Sequence, residues 1–199
     1  MTTYRRRIIL ALGAVLGLAA CGSNPVTRDF TPATALETAQ VLPGGLHDFS
    51  VARIDVTVPD SLRESESNAY YPGTDIVWHG DPMGNRHEQV KAIFTDAMAK
   101  GVKPFDGARD VVLDIEVTRF HALTQKARYT VGGVHSIHFY LQVADAATGE
   151  VIVPKHFVKA NLRAYGGSAA VAAEARGDTQ KVRISRHLAG VIQDELAAL

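Results

Sequence analysis

Eight histidines and a single cysteine are the residues of this chain best suited to chemistry. A metal centre needs imidazole, thiolate or carboxylate groups that converge on one point. His135 and His138 are three residues apart, a spacing that on a strand sends them to opposite faces. His79 and His87 flank an expected helix start and could approach each other, but no HExxH pattern accompanies them. Nucleophilic catalysis has no Gly-x-Ser-x-Gly elbow to work from, and Ser168 stands at an apparent helix start, where serine is expected as a cap. Asp114 and Glu116 share the polar face of one strand. Paired carboxylates serve glycosidases, but this pair reads as a solvated surface. Gly132-Gly133 lacks the lysine and following helix of a phosphate loop. The reading is therefore that the chain has no catalytic residues, no metal ligands and no cofactor, and is not an enzyme. The alternative is a periplasmic metal-dependent enzyme or hydrolase.

The clearest chemistry is at the N-terminus. Arg5, Arg6 and Arg7 precede an apolar run from Ile8 to Leu18, and Leu18-Ala19-Ala20-Cys21 closes the segment. A run of about 11 residues is too short for a membrane span, which takes about 20; it has the three-part layout of an export signal. Leu18-Ala19-Ala20-Cys21 resembles the lipobox of bacterial lipoproteins. Small Ala19 and Ala20 admit a peptidase, and the Cys21 thiol can be joined to diacylglycerol. The resemblance implies cleavage before Cys21, acylation there (a palmitate-type lipid), and an outer-membrane address facing the periplasm, because Gly22 rather than Asp follows. Arg6-Arg7 also hints at twin-arginine export, which the sequence does not separate from the general secretory route. As the only cysteine, Cys21 leaves no intramolecular disulfide to form.

Residues 1–20 are thus expected as a signal peptide, 21–47 as a lipidated tether and 48–199 as one α+β domain. Full-length charge is balanced at 21 basic and 21 acidic residues. Losing three arginines leaves a net charge of −3, which gives nucleic acid no reason to bind. Pro25, Pro32, Pro43, Gly44 and Gly45 break up the tether, although Thr34 to Val41 could form a short helix.

Periodicity supplies the elements that must position any site. Ala52, Ile54, Val56 and Val58 alternate with polar residues as in a half-buried strand that Pro59 stops. A long polar loop runs from Asp60 to Gly80. Asp81 and Pro82 suit a helix start, with Asn85 and Glu88 as a second, box-like start. Val90, Ile93, Phe94, Ala97 and Met98 fall on one helical face over about 82–100. Strands follow over Val111–Val117, over Ile137–Val143 and over Val151–Leu162, with a turn at Thr148-Gly149. Pro154 in the last points to an edge or a bulge. An Ala-rich stretch from Ser168 and a helix over 179–198, capped by Asp178, end the chain. The expected fold is strand, helix, three strands, helix: a mainly antiparallel four-stranded sheet with helices on one face. Ile93, Phe94, Ile115, Phe139, Leu141, Leu188 and Ile192 should form the core.

Two loops have the composition of interaction anchors. One carries Tyr70, Tyr71, Trp78 and His79; the other carries Arg128 and Tyr129. Aromatic and arginine side chains exposed on loops are frequent binding anchors, so these six are the candidate partner-binding residues. The competing expectation for Trp78 is packing over the open end of the sheet. Trp78-His79-Gly80-Asp81-Pro82, Ala127 through Ser136 (ARYTVGGVHS) and Thr179-Gln180-Lys181-Val182-Arg183 resemble an uncharacterised family of bacterial lipoproteins, a domain of unknown function. More loosely, the architecture is similar to accessory envelope lipoproteins. The resemblance transfers no catalytic residue. It implies a membrane-anchored, non-enzymatic binding or accessory component, held by lipid on Cys21, with an envelope protein as partner.

Overall fold

Two long strands with alternating apolar residues make the centre of the molecule. The computed structural model describes residues 48–199; Cys21 and the expected signal segment, tether and helix over Thr34–Val41 lie outside the described residues. The elements are β1 (Phe49–Thr57), β2 (Ile76–Val77), α1 (Arg86–Gly101), β3 (Arg109–His121), α2 (Gln125–Arg128), β4 (Gly133–Asp145), β5 (Val151–Lys159), β6 (Leu162–Ala164), α3 (Gly167–Ala175) and α4 (Gln180–Ala197). The sheet order is β1-β3-β4-β5, with β2 also on β3 and β6 also on β4.

The sheet is six-stranded and mixed: the expected four strands form its main path, and two short strands and a parallel pairing are added. β1 runs parallel to β3, pairing Phe49 with Arg109 and Thr57 with Glu116. Parallel neighbours need a crossover connection, and α1 is that connection. β2 continues the same side of β3 beyond β1, also parallel, with Ile76 opposite Phe120. β4 is antiparallel to β3, and β5 and β6 are antiparallel to β4. The single strand expected over 151–162 is split. Near the break, the Asn161 side chain accepts the Ile137 N–H at 3.2 Å in place of a strand carbonyl. Pro154 lies on the edge strand β5, whose pairing with β4 also bulges.

Helix ends also differ from expectation. Of the two starts expected for α1, Asn85 rather than Asp81 is the cap, accepting the Glu88 N–H. Thr179, not Asp178, caps α4, accepting the Val182 N–H. Gly166 precedes α3 without a side-chain cap, so Ser168 is not one. In each case the capping residue is the one that the chain leaves extended just before the first turn. All seven expected core residues are buried. Val90, Phe94 and Met98 from α1 and Ile184, Leu188 and Ile192 from α4 join Leu113, Ile115, Phe139 and Leu141 of the central strands in one cluster. The Phe94 and Phe139 rings meet edge to face at 5.5 Å. Gly101 lets α1 lie against α4, because a Cβ there would stand 2.3 Å from the Ala189 carbonyl oxygen.

Candidate functional site

One end of the sheet, where β3 finishes and β4 begins, is flanked by the short strands β2 and β6. The two loops singled out by composition meet here. The Thr124 hydroxyl donates to the Ala69 carbonyl at 2.9 Å, and the Lys126 N–H donates to Asn68 Oδ1 at 2.7 Å. The Lys126 ammonium lies 4.5 Å from the centre of the Tyr70 ring. His121, buried, donates through Nε2 to the Pro72 carbonyl at 2.8 Å, and its ring lies 4.6 Å from Tyr71. Arg119 donates to the Tyr71 hydroxyl at 3.0 Å. Burial, helped by the nearby Arg119 charge and opposed by the bond to Pro72, lowers the His121 pKa. Tyr70 and Tyr71 nevertheless remain 50% and 69% exposed.

Tyr129 is 47% exposed and one turn beyond Lys126. Its hydroxyl donates to Glu174 of α3 at 3.2 Å and accepts from Arg128 at 3.1 Å. Arg128 also pairs with Glu174. The close approach that permits this is between glycines: a Cβ on Gly166 would fall 2.1 Å from the Gly132 nitrogen, and Gly132 has φ +72°.

Trp78 is corrected from exposed anchor to core. It is fully buried, edge to face with Phe120 at 5.6 Å. Its position beside β3, immediately after β2, places the ring inward. Its indole N–H donates to Asp81 at 2.9 Å, and Lys181 reaches both oxygens of the same carboxylate at 2.8 and 2.9 Å. Burial opposes ionisation of Asp81, but Lys181 and Trp78 outweigh it and hold the pKa below the ordinary value. His79 is half-buried, with Nε2 enclosed and unpartnered. His87 donates to the Leu62 carbonyl at 3.0 Å, and its other nitrogen lies 3.5 Å from Glu64. Among the described residues, no three His, Cys, Asp or Glu side chains gather as a metal site would require.

The long loop after β1 is held by Arg86. Its buried guanidinium forks onto Glu66 at 2.5 and 2.9 Å and donates to Gln89 at 2.6 Å. The Glu66 pKa is lowered by this contact and that of Arg86 raised. His135 and His138 take opposite faces, as their spacing requires: His135 is buried and His138 half-buried with Phe157 5.4 Å away. Asp114 is exposed and Glu116 pairs with Lys155 at 2.6 Å.

The three motif segments therefore converge. Trp78 and Lys181 both donate to Asp81; His135 and Arg128 line a small cavity with Gln180 and Arg183. A model of the family of unknown function DUF6778 matches residues 49–199. The chain belongs to this family. The resemblance to an uncharacterised family noted in those motifs is thus confirmed. No curated protein matches the chain. Among solved structures, a candidate lipoprotein from Caulobacter crescentus CB15 is 17% identical, with TM-score 0.34, covering 54% of this chain and 80% of its own. A Xanthomonas campestris protein of family DUF330 is 13% identical, with TM-score 0.43, covering 79% and 92%. A PelC variant from Paraburkholderia phytofirmans, solved as a dodecamer, is 12% identical, with TM-score 0.32, covering 72% and 85%. No helix among the described residues is long and apolar enough to cross a membrane.

Sequence reasoning missed Asp81, His121, His135, Gln180 and Lys181 as members of this region. His135 had a signal: it stands in the inward register with Ile137 and Phe139, and a polar residue at a core position is informative. Asp81 and Lys181 had none, being 100 residues apart.

Proposed function

We propose that this protein is an exported lipoprotein of the cell envelope, acylated on Cys21 and held at the outer membrane facing the periplasm. There its domain acts as a non-enzymatic binding component for another envelope protein. The observation that carries the binding reading is the meeting of two aromatic loops at one end of the sheet. Tyr70 and Tyr71 stay exposed while Asn68, Ala69 and Pro72 on either side are tied to Lys126, Thr124 and His121, and Tyr129 stays exposed with its N–H on the Gln125 carbonyl. Pre-ordered tyrosines lose little entropy on association, which favours them as anchors. Of the six anchors expected from sequence, Tyr70, Tyr71, Arg128 and Tyr129 are kept, His79 is half-buried, and Trp78 belongs to the core. A lipid anchor with a tether confines such a surface near membrane complexes and raises its effective concentration there.

Two measurements test the reading. The mass of the membrane-extracted protein should show an acylated Cys21 as first residue, and Cys21→Ser should abolish acylation. A photoreactive residue at position 70 or 129 should capture one envelope protein in cells, and Lys126→Glu should reduce the capture. An intact N-terminus with residues 1–20 would remove the anchor. Absence of any specific adduct from either position would remove the binding role.

A further inference from the structure

Behind α2 and the start of β4 lies a cavity of about 20 Å³ walled by Arg128, His135, Tyr165, Glu174, Gln180 and Arg183. That is room for a single oxygen-sized group. Its wall carries N–H donors that the chain leaves unused. His135 is only 1% exposed. Its Nδ1 accepts the Leu123 N–H at 3.4 Å. Burial, then the charges of Arg183 and Arg128, push its pKa down to about 3. The ring is therefore neutral near pH 7, and with Nδ1 accepting, the one proton sits on Nε2. No described residue accepts from that Nε2–H. The Nε–H of Arg128 is enclosed and unpartnered. Buried donors are almost always satisfied, so this one, beside a cavity that His135 also lines, points to an acceptor that the chain does not itself provide.

The surrounding charge narrows its chemistry. Arg128 pairs with Glu174, Arg183 stands 3.9 Å from Asp178, and Arg186 is 3.0 Å from the same carboxylate. On the wall itself Arg128 and Arg183 balance Glu174 and Asp178, and Arg186, outside the wall, adds one positive charge. A monoanion that presents one oxygen suits both the room and the charge; a dianion such as phosphate exceeds both. We propose that this cavity takes a carboxylate end-on, one oxygen accepting from His135 Nε2–H and the Arg128 guanidinium, with the rest of the ligand outside. This rests on the reading of this end of the sheet as a binding surface, and it fails separately from it, since the test below involves no envelope protein.

The full chain in detergent, with ¹⁵N-labelled histidine, is titrated with sodium acetate at constant ionic strength. The His135 Nε2 resonance, assigned through its loss in His135→Gln, should shift and saturate. Sodium phosphate should bind at least about tenfold more weakly. A short peptide with a free C-terminus should compete with acetate if the natural source is a protein terminus, and fail to compete if it is a small free acid; its amidated form should not bind. Arg128→Gln should weaken acetate binding about tenfold or more, through loss of a charge-assisted contact. Arg186→Gln leaves the cavity wall intact, so it serves even where Arg128→Gln does not fold; it should weaken binding about two- to threefold at low salt. A His135 resonance that never moves, or moves without saturating, overturns the proposal and leaves only a buried water. Binding of the amidated peptide, or tighter binding of phosphate, overturns the carboxylate assignment.

Discussion

The two ends of the sheet are built on different principles. At the hairpin end, between β4 and β5, Asp145 closes the turn by accepting from the Ala147 and Thr148 N–H groups, the Thr148 hydroxyl and Arg109, all within 3.0 Å. Most of its partners lie within three residues, and its own acceptors are well used. At the opposite end, the ties span 55 to 100 residues, joining Thr124 to Ala69, Lys126 to Asn68 and Lys181 to Asp81. Exposed tyrosines and enclosed, unpartnered nitrogens of His79 and Arg128 remain there. The first end finishes a sheet. The second keeps exposed rings and unpaired nitrogens, and long-range ties hold them in place.

The largest expected effects fall on what both ends share. Phe139→Ala should cost about 3–5 kcal/mol by opening a cavity in the core, and denaturant unfolding should show this together with loss of capture. Trp78→Ala should cost about the same, and it also strips a partner from Asp81. If Trp78 were a surface anchor, stability would hold while capture fell; the burial described above predicts that both fall.

A smaller effect should be confined to the hairpin end. Gly149 has φ +75° with open space around it, so Gly149→Ala meets only backbone strain, about 1–2 kcal/mol. Capture from Tyr70 should be unchanged. The smallest change in stability belongs to Lys126→Gln, which removes an exposed contact to the Tyr70 ring worth about 0.5–1 kcal/mol. Its effect on capture should exceed its effect on stability, the reverse of Gly149→Ala.

Acid should separate the ends by pH. His135 has a folded pKa of about 3 against an ordinary 6.5, so between these values the unfolded chain binds more protons. The stability it contributes is complete above pH 6.5 and is lost as pH falls towards 3. His121 and His138, both lowered chiefly by burial, act in the same direction. Asp145, held at about 2 against an ordinary 3.8 by the Thr148 N–H and Arg109, contributes above 3.8 and loses that contribution as pH falls towards 2. Amide exchange followed down the pH scale should therefore show the loop end losing protection before the hairpin end. Simultaneous loss would remove the distinction.

How far the sequence could be read divides along the same line. Alternation made β3 and β4 legible, helical spacing gave the buried faces of α1 and α4, and Thr148-Gly149 marked the hairpin. These signals are local. The parallel pairing of β1 was not legible, because alternation says which face is buried but not which strand lies alongside or in which direction. β2 has only two residues, too few for a period, and α2 only four. In the loops, Tyr70, Tyr71, Arg128 and Tyr129 were legible by residue type. For Trp78 the sequence left two expectations open, exposed anchor and inward packing, and its 0% exposure decides for the second. The convergence of Asp81 with Lys181 depends on the completed fold.

The most direct test compares the two ends within one experiment. A photoreactive residue is placed at position 70 in one strain and at 148 in another, in the full-length acylated protein, and adducts are identified by mass. The account predicts one specific envelope protein captured from position 70 and none from position 148. Equal capture from both positions, or capture from position 148 alone, would contradict it.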